Sequence, residues 1–223
     1  MAESRGIRIA LEGGGDVAGL LRIPAGAHSI LVLAHGAGAE MDHPFMEATA
    51  AALAHRQVAT LRYQFPYMEA GRKRPDRPAV AMAAVRAAVT AARASATGLR
   101  LLAGGKSFGG RMTSSAEAES PLPGVAGLVF LGFPLHAAGR PGTARAEHLT
   151  GVHRPMLFVQ GTRDRLADLD LLRPLLDRLG DRARLHEIEG ADHSFRVLKR
   201  SGRDEEDVLA EVADVVAAFA RSL

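Results

Sequence analysis

Apolar and polar residues alternate along this chain in short blocks of two kinds. Ile7–Leu11 and Val17–Ile23 read as strands on either side of a Gly13-Gly14-Gly15-Asp16 turn, a hairpin signal. Ser29–Ala34 is a compact apolar strand, Val58–Tyr63 and Leu99–Ala103 read as strands, Gly127–Gly132 and Met156–Gly161 as further buried strands, and Arg184–Ile188 as the last strand. Between them lie stretches of helical period. Asp42 to His55 has Asp42 as a candidate N-cap and Pro44 in its first turn. Pro78–Ala96 carries Met82, Val85, Val89 and Ala92 on one face. Ser107 to Glu117 and Leu169–Leu179 are helical, the latter with Pro174 against its continuity. Asp204–Ser222 carries a stripe of Val208, Val212, Val215 and Phe219. Near-continuous apolar strands alternating with helices predict an α/β fold, a mainly parallel sheet with helices on both faces. No linker, repeat or low-complexity segment divides the chain, so one domain is expected over residues 1–223. In such sheets, ligands bind beyond the carboxyl ends of the strands, and the residues just after each strand are the ones to inspect.

Composition narrows the chemistry. With no cysteine among 223 residues, disulfides, thiolate metal sites and a cysteine nucleophile are excluded. A cysteine-free chain fits a reducing compartment, and a cytoplasmic location is expected. The net charge is +3, yet the isoelectric point is near 9.8 because the basic residues are nearly all arginine. The one dense basic run, Arg72-Lys73-Arg74 and Arg77, is broken by Pro75 and Asp76 and has no aromatic reading module beside it. It reads as a solvated loop, and no nucleic-acid partner is expected. Met1 to Ile9 holds Glu3 and two arginines without an apolar core, unlike a signal peptide. No apolar run is long enough to span a bilayer, so no membrane partner is expected either.

The sharpest motif is Gly105-Lys106-Ser107-Phe108-Gly109, between a strand and a helix. A serine on a tight strand-to-helix turn projects its hydroxyl, and residues two positions to either side must be tiny. The helix N-terminus beneath favours developing negative charge. A phosphate-binding loop would need glycine where Arg100 stands, and the triple glycine at 13–15 leads into a strand instead of a helix. A serine nucleophile needs a base and an acid to orient it. Of nine histidines, His193 follows the last strand, and Asp164 follows the strand Met156–Gly161. Asp168 and Asp192 are the rival acids, but Asp168 suits a helix cap, and Asp192 adjoins His193 and would point away from it. For an oxyanion hole, the backbone N–H of Phe108 follows the nucleophile, and that of Ala37 lies in the small-residue loop His35-Gly36-Ala37-Gly38-Ala39. His35 reads as a brace for that loop, and Asp42-His43 as a cap and turn, since no third metal ligand has suitable spacing. Arg111, one helical turn beyond Ser107, is a candidate contact for a substrate carboxylate, against the plainer reading of a structural ion pair.

The segments Leu33-Ala34-His35-Gly36-Ala37-Gly38, Asp42-His43-Pro44-Phe45, Phe65-Pro66-Tyr67, Gly105 through Arg111, Phe133-Pro134-Leu135-His136, Gln160 through Asp164 and Asp192-His193-Ser194-Phe195 together resemble the α/β-hydrolase superfamily. They are most similar to its small dienelactone-hydrolase-like branch, whose eukaryotic relatives include a subunit of the non-specific lethal chromatin complex. The resemblance implies the triad Ser107, Asp164 and His193, and an eight-stranded sheet with its second strand antiparallel. True dienelactone hydrolases use cysteine where this chain has Ser107. Only Pro134 to Pro155 separates two strands where other members insert a cap domain, so an open site is expected, with Leu135 to Arg145 as a short flap. The expected activity is cofactor- and metal-free hydrolysis of small esters, extending to thioesters or activated amides, through an acyl-enzyme on Ser107. The alternative is an interaction scaffold on the same fold with little turnover.

Overall fold

The computed structural model describes residues 3–223; Met1 and Ala2, the start of the stretch weighed as a leader, lie outside the described residues. Eight strands form one sheet in the order β1-β2-β4-β3-β5-β6-β7-β8. They are β1 (Arg5–Ala10), β2 (Asp16–Arg22), β3 (Ser29–Ala34), β4 (Val58–Tyr63), β5 (Arg100–Lys106), β6 (Val125–Leu131), β7 (Met156–Gly161) and β8 (Ala183–Ile188). Only β2 runs against its neighbours; every pairing from β4 to β8 is parallel. This is the topology the resemblance implies, and no cap domain is inserted.

Helices α1 (Pro44–Ala54) and α6 (Glu205–Arg221) cover one face; α3 (Pro78–Ser95), α4 (Phe108–Glu119) and α5 (Leu169–Leu179) cover the other, and a single turn, α2 (Pro66–Glu69), follows β4. The central strands serve both layers by strict alternation: Ile30, Val32 and Ala34 of β3 join the α3–α4 core, while Leu31 and Leu33 join the α1–α6 core. Small alanines at 81, 84, 88 and 92 let α3 lie close on the sheet.

Several local expectations change. The N-cap of α1 is His43, whose Nδ1 accepts the Phe45 N–H at 3.2 Å, so Asp42 does not cap this helix. On α6 it is Val216, more than Val215, that is fully buried, and Met82 of α3 is only half-buried. Helix α5 runs through Pro174 from its N-cap at Asp168. Strand β5 does not end at Ala103 but continues through Gly104 and Gly105 to Lys106, because these glycines serve close packing and not a turn. A Cβ on Gly104 would sit 1.8 Å from the Val129 carbonyl oxygen. The basic loop partly neutralises itself, with Arg72 paired to Asp76 at 2.7 Å. Among the described residues, no helix is long and apolar enough to cross a membrane.

Candidate active site

The ends of β5, β7 and β8 bring three of the sequence-selected side chains together. Ser107 sits between β5 and α4 with φ 49° and ψ −113°, a left-handed conformation held by its N–H bond to Leu131 O (3.1 Å) and by Arg111 N–H on its own carbonyl (3.1 Å). The flanking glycines are sterically required: a Cβ at Gly105 would lie 2.4 Å from Ala34 O, and one at Gly109 would lie 2.6 Å from the carbonyl oxygens of both Ala34 and His35. Thus the turn holding Ser107 is wedged directly against the end of β3.

The Ser107 hydroxyl lies 2.9 Å from His193 Nε2, and His193 Nδ1 lies 2.7 Å from Asp164 Oδ2. With Nδ1–H donated to the carboxylate, Nε2 is the free acceptor facing the serine. The Asp164 side chain is fully buried, and three donors converge on it: His193, the Leu166 N–H at 2.7 Å, and Gln160 Nε2. Gln160 is a site residue that sequence reasoning misses, since an amide inside an apolar strand carries no motif. The rival acids are occupied elsewhere. Asp168 caps α5 through Asp170 N–H (2.9 Å), and Asp192 accepts the N–H groups of Ser194 (2.8 Å) and Arg196 (3.0 Å), closing the turn that presents His193.

The loop Gly36–Ala39 approaches Ser107 from the other side, where a Cβ on Gly36 would lie 3.7 Å from Ser107 Cβ. His35 braces it: Nδ1–H donates to Gly36 O at 2.8 Å, and Nε2 accepts Phe65 N–H at 3.1 Å. Burial pushes the His35 imidazole down to about 4, against a smaller opposing effect of the Gly36 carbonyl, so it stays neutral in this role. The Gly38 N–H is taken by Tyr67 Oη at 3.3 Å. Among the described residues, the N–H groups of Ala37 and Phe108 have no hydrogen-bond partner, and the latter is the first residue of its helix, where no intrahelical acceptor exists.

A cleft of about 710 Å³ opens over Ser107 and His193. Its apolar walls are Phe45 and Met46 of α1, Phe195, Leu166 and Leu209 of α6. Phe45 and Phe195 stack at 5.6 Å between ring centroids. The expected flap is not part of this wall. Leu135 and His136 are buried, with His136 Nε2 accepting Asp168 N–H at 2.9 Å, and the exposed tip at Ala138–Pro141 borders a different crevice beyond Asp164. Arg111 is half-buried on α4 and, among the described residues, forms no ion pair; burial and the nearby Arg145 hold its guanidinium below its ordinary range. The expected structural ion pair is therefore absent among those residues.

An eight-stranded sheet with an antiparallel second strand and a serine elbow after its fifth strand defines the α/β-hydrolase class of proteins. The chain belongs to the Alpha/beta hydrolase domain family, whose family model matches residues 27–221. Solved structures agree in fold. A dienelactone hydrolase from Anabaena variabilis ATCC 29413 is 23% identical, with 97% of this chain and 96% of that one covered at a TM-score of 0.75. A serine hydrolase without a lid from Xanthomonas campestris is 19% identical over 99% and 94% of the two chains, with a TM-score of 0.73. Est1E from Butyrivibrio proteoclasticus is 14% identical over 98% and 99%, also at 0.73. At these identities the likeness is one of fold.

Proposed function

We propose that this protein is a serine hydrolase acting on small esters with an apolar acyl group. The reading is carried by one observation: the unbroken hydrogen-bonded chain from Asp164 through His193 to Ser107, at the floor of an accessible apolar cleft. Ser107 Oγ attacks the ester carbonyl while His193 Nε2 takes its proton, and Asp164 holds the ring and stabilises the imidazolium. The N–H groups of Ala37 and Phe108 receive the developing oxyanion. Collapse expels the alcohol, protonated by His193, and leaves an acyl group on Ser107. Water then attacks the acyl carbonyl with His193 again as base, releasing the acid. Thioesters and activated amides follow the same steps. Phe45, Met46, Phe195 and Leu209 receive the acyl chain, so these residues, in place of the 135–145 segment, set chain-length preference. Arg111, which has no acidic partner among the described residues but does not line this cleft, is proposed to contact a carboxylate on substrates that extend beyond it. A cytoplasmic location belongs to this same reading. The hydrogen-bonded Ser107 and His193 favour turnover over the scaffold role suggested by the likeness to a chromatin-complex subunit.

The test is a panel of p-nitrophenyl esters of increasing acyl length beside a fluorophosphonate probe. Wild type is expected to hydrolyse and to label, and Ser107→Ala to do neither. Labelling of Ser107→Ala at the wild-type rate would move the reactive serine elsewhere.

A further inference from the structure

Lys106 directly precedes Ser107, yet its side chain turns to the opposite side of β5 and ends within the site. Only 9% of the residue is exposed. Its ammonium donates to the backbone carbonyl of His193 at 2.6 Å and lies 5.5 and 6.0 Å from the ring centroids of Phe195 and Phe45. A Cβ on Gly132 would meet Lys106 Nζ at 3.1 Å, Asp164 Oδ2 at 3.6 Å and His193 Cε1 at 3.6 Å. Ammonium, carboxylate and imidazole therefore gather around Gly132, where a Cβ would press on the ammonium.

Among the described residues, no carboxylate pairs with Lys106 within ion-pair distance. An ammonium buried this way is costly, and an apolar chain of the same length would fill the space without that cost. Burial pushes Lys106 down to about 8, with Asp164 and Asp192 pulling the other way. Lysine is also unusual here: most of the 28 basic residues are arginine, and the other lysines are Lys73 and Lys199. A compact ammonium suits a single carbonyl, whereas a planar guanidinium would bring five donors to a site that offers one acceptor. That carbonyl matters because the Asp192–Arg196 turn is otherwise closed on itself, through Asp192 Oδ1 and the Phe195 N–H to Asp192 O bond, with Phe195 at φ 63°.

We propose that Lys106 is a positioning residue, whose ammonium ties the main chain of His193 to the nucleophile strand and so holds the imidazole on Ser107. This rests on the serine-hydrolase reading. The charged and titratable groups facing Lys106 are Asp164 beyond β7, and Asp192 and His193 beyond β8. Farther along the cleft lie His43 at the start of α1 and the Arg196–Glu205 pair at 3.7 Å.

The absence of cysteine makes a clean test available, because Lys106→Cys carries the sole thiol. Aminoethylation of that thiol restores an ammonium at lysine length, and S-propylation gives a neutral chain of the same length. These two proteins, Lys106→Met and wild type are compared for kcat, KM, fluorophosphonate labelling rate and thermal midpoint. Lys106→Met and the propylated form are expected to lose about tenfold to a hundredfold in kcat and labelling, with KM within about threefold and the midpoint equal or higher. The aminoethylated form is expected to return to within about threefold of wild type. If Lys106→Met does not fold, the two alkylated forms carry the comparison alone. Neutral forms as active as wild type, or an aminoethylated form as impaired as the propylated one, would reduce Lys106 to packing. A wild type that neither labels nor turns over esters would instead overturn the hydrolase reading itself.

Discussion

Among the described residues, Arg62 and Lys106 are buried cations, and they are treated in opposite ways. Arg62 on β4 is fully buried, and its guanidinium is met by Glu47 at 2.5 Å, Ser4 Oγ at 3.1 Å and Met41 O at 3.1 Å. Burial alone would push the Glu47 carboxyl up, but Arg62 and Arg22 outweigh it and hold it below its ordinary range. Lys106, two strands away in the sheet, has a single carbonyl and two aromatic rings. A compensated charge joins α1 to the sheet and serves the fold. An uncompensated one sits against the residue proposed as general base. The contrast suggests that stability has been given up locally at the strand ends and kept in the structural half of the sheet.

The comparison breaks if substitutions at the strand ends act through stability, or those at Arg62 through activity. The largest effect is expected at the proposed nucleophile. Ser107→Ala should lose about 10⁴-fold or more in kcat while melting near wild type, since alanine is small enough for the turn. Asp164→Asn should lower kcat by about 10²- to 10⁴-fold with little change in KM, because the lost interaction strengthens as the imidazolium forms. Asp168→Asn should be mild by comparison; a severe loss there would transfer the acid role.

Arg62→Met should behave in reverse. Removing the guanidinium takes one partner from Glu47, which keeps Arg22, and leaves the Met41 carbonyl without its donor, a loss of about 1–3 kcal/mol in denaturant unfolding. Activity per folded molecule should be unchanged. The Arg62 effect should also weaken in acid, since a carboxyl with a lowered pKa contributes stability above its unfolded value that fades as pH falls through the folded one.

Lys106 sharpens the contrast through pH. Its ammonium is pushed down from 10.5 to about 8, so between those values the unfolded chain binds the extra proton. Stability should therefore rise as pH climbs from about 8 towards 10.5, by on the order of 3 kcal/mol at most, and the rise should vanish in Lys106→Met. Chemical denaturation at a series of pH values reads this directly. The smallest effect is expected at Arg111. Arg111→Ala should weaken kcat/KM by about tenfold for esters bearing a free carboxylate and leave neutral esters unaffected.

The sheet is legible in the sequence because its inner strands are apolar on both faces, and the placement of Ser107 and Asp164 is legible because each follows such a run, while His193 follows the more polar edge strand β8. Asp168 is readable as a cap for the same local reason. What escapes is whatever depends on distant segments meeting. Phe45, Phe195 and Leu209 line one cleft from α1, the loop after β8 and α6, and nothing in their own neighbourhoods marks them as partners. Gly104 looks like the end of a strand until Val129 O is seen to fill the space of its missing side chain. The segment 135–145 has the glycines and proline of a surface flap, yet Leu135 and His136 are core. Lys106 invites comparison with a phosphate-binding loop, and that motif holds no hint of a carbonyl on another strand's loop.

The central claim, that Ser107 carries the acyl group during turnover, is tested most directly by trapping it. A p-nitrophenyl ester is mixed with the protein, quenched in acid within the pre-steady state, and the peptides are mass-analysed for the acyl adduct. The account predicts a burst of p-nitrophenol, an acyl group on the peptide containing Ser107, and no adduct in Ser107→Ala. An acyl group on a different residue, or wild-type turnover by Ser107→Ala, would contradict it.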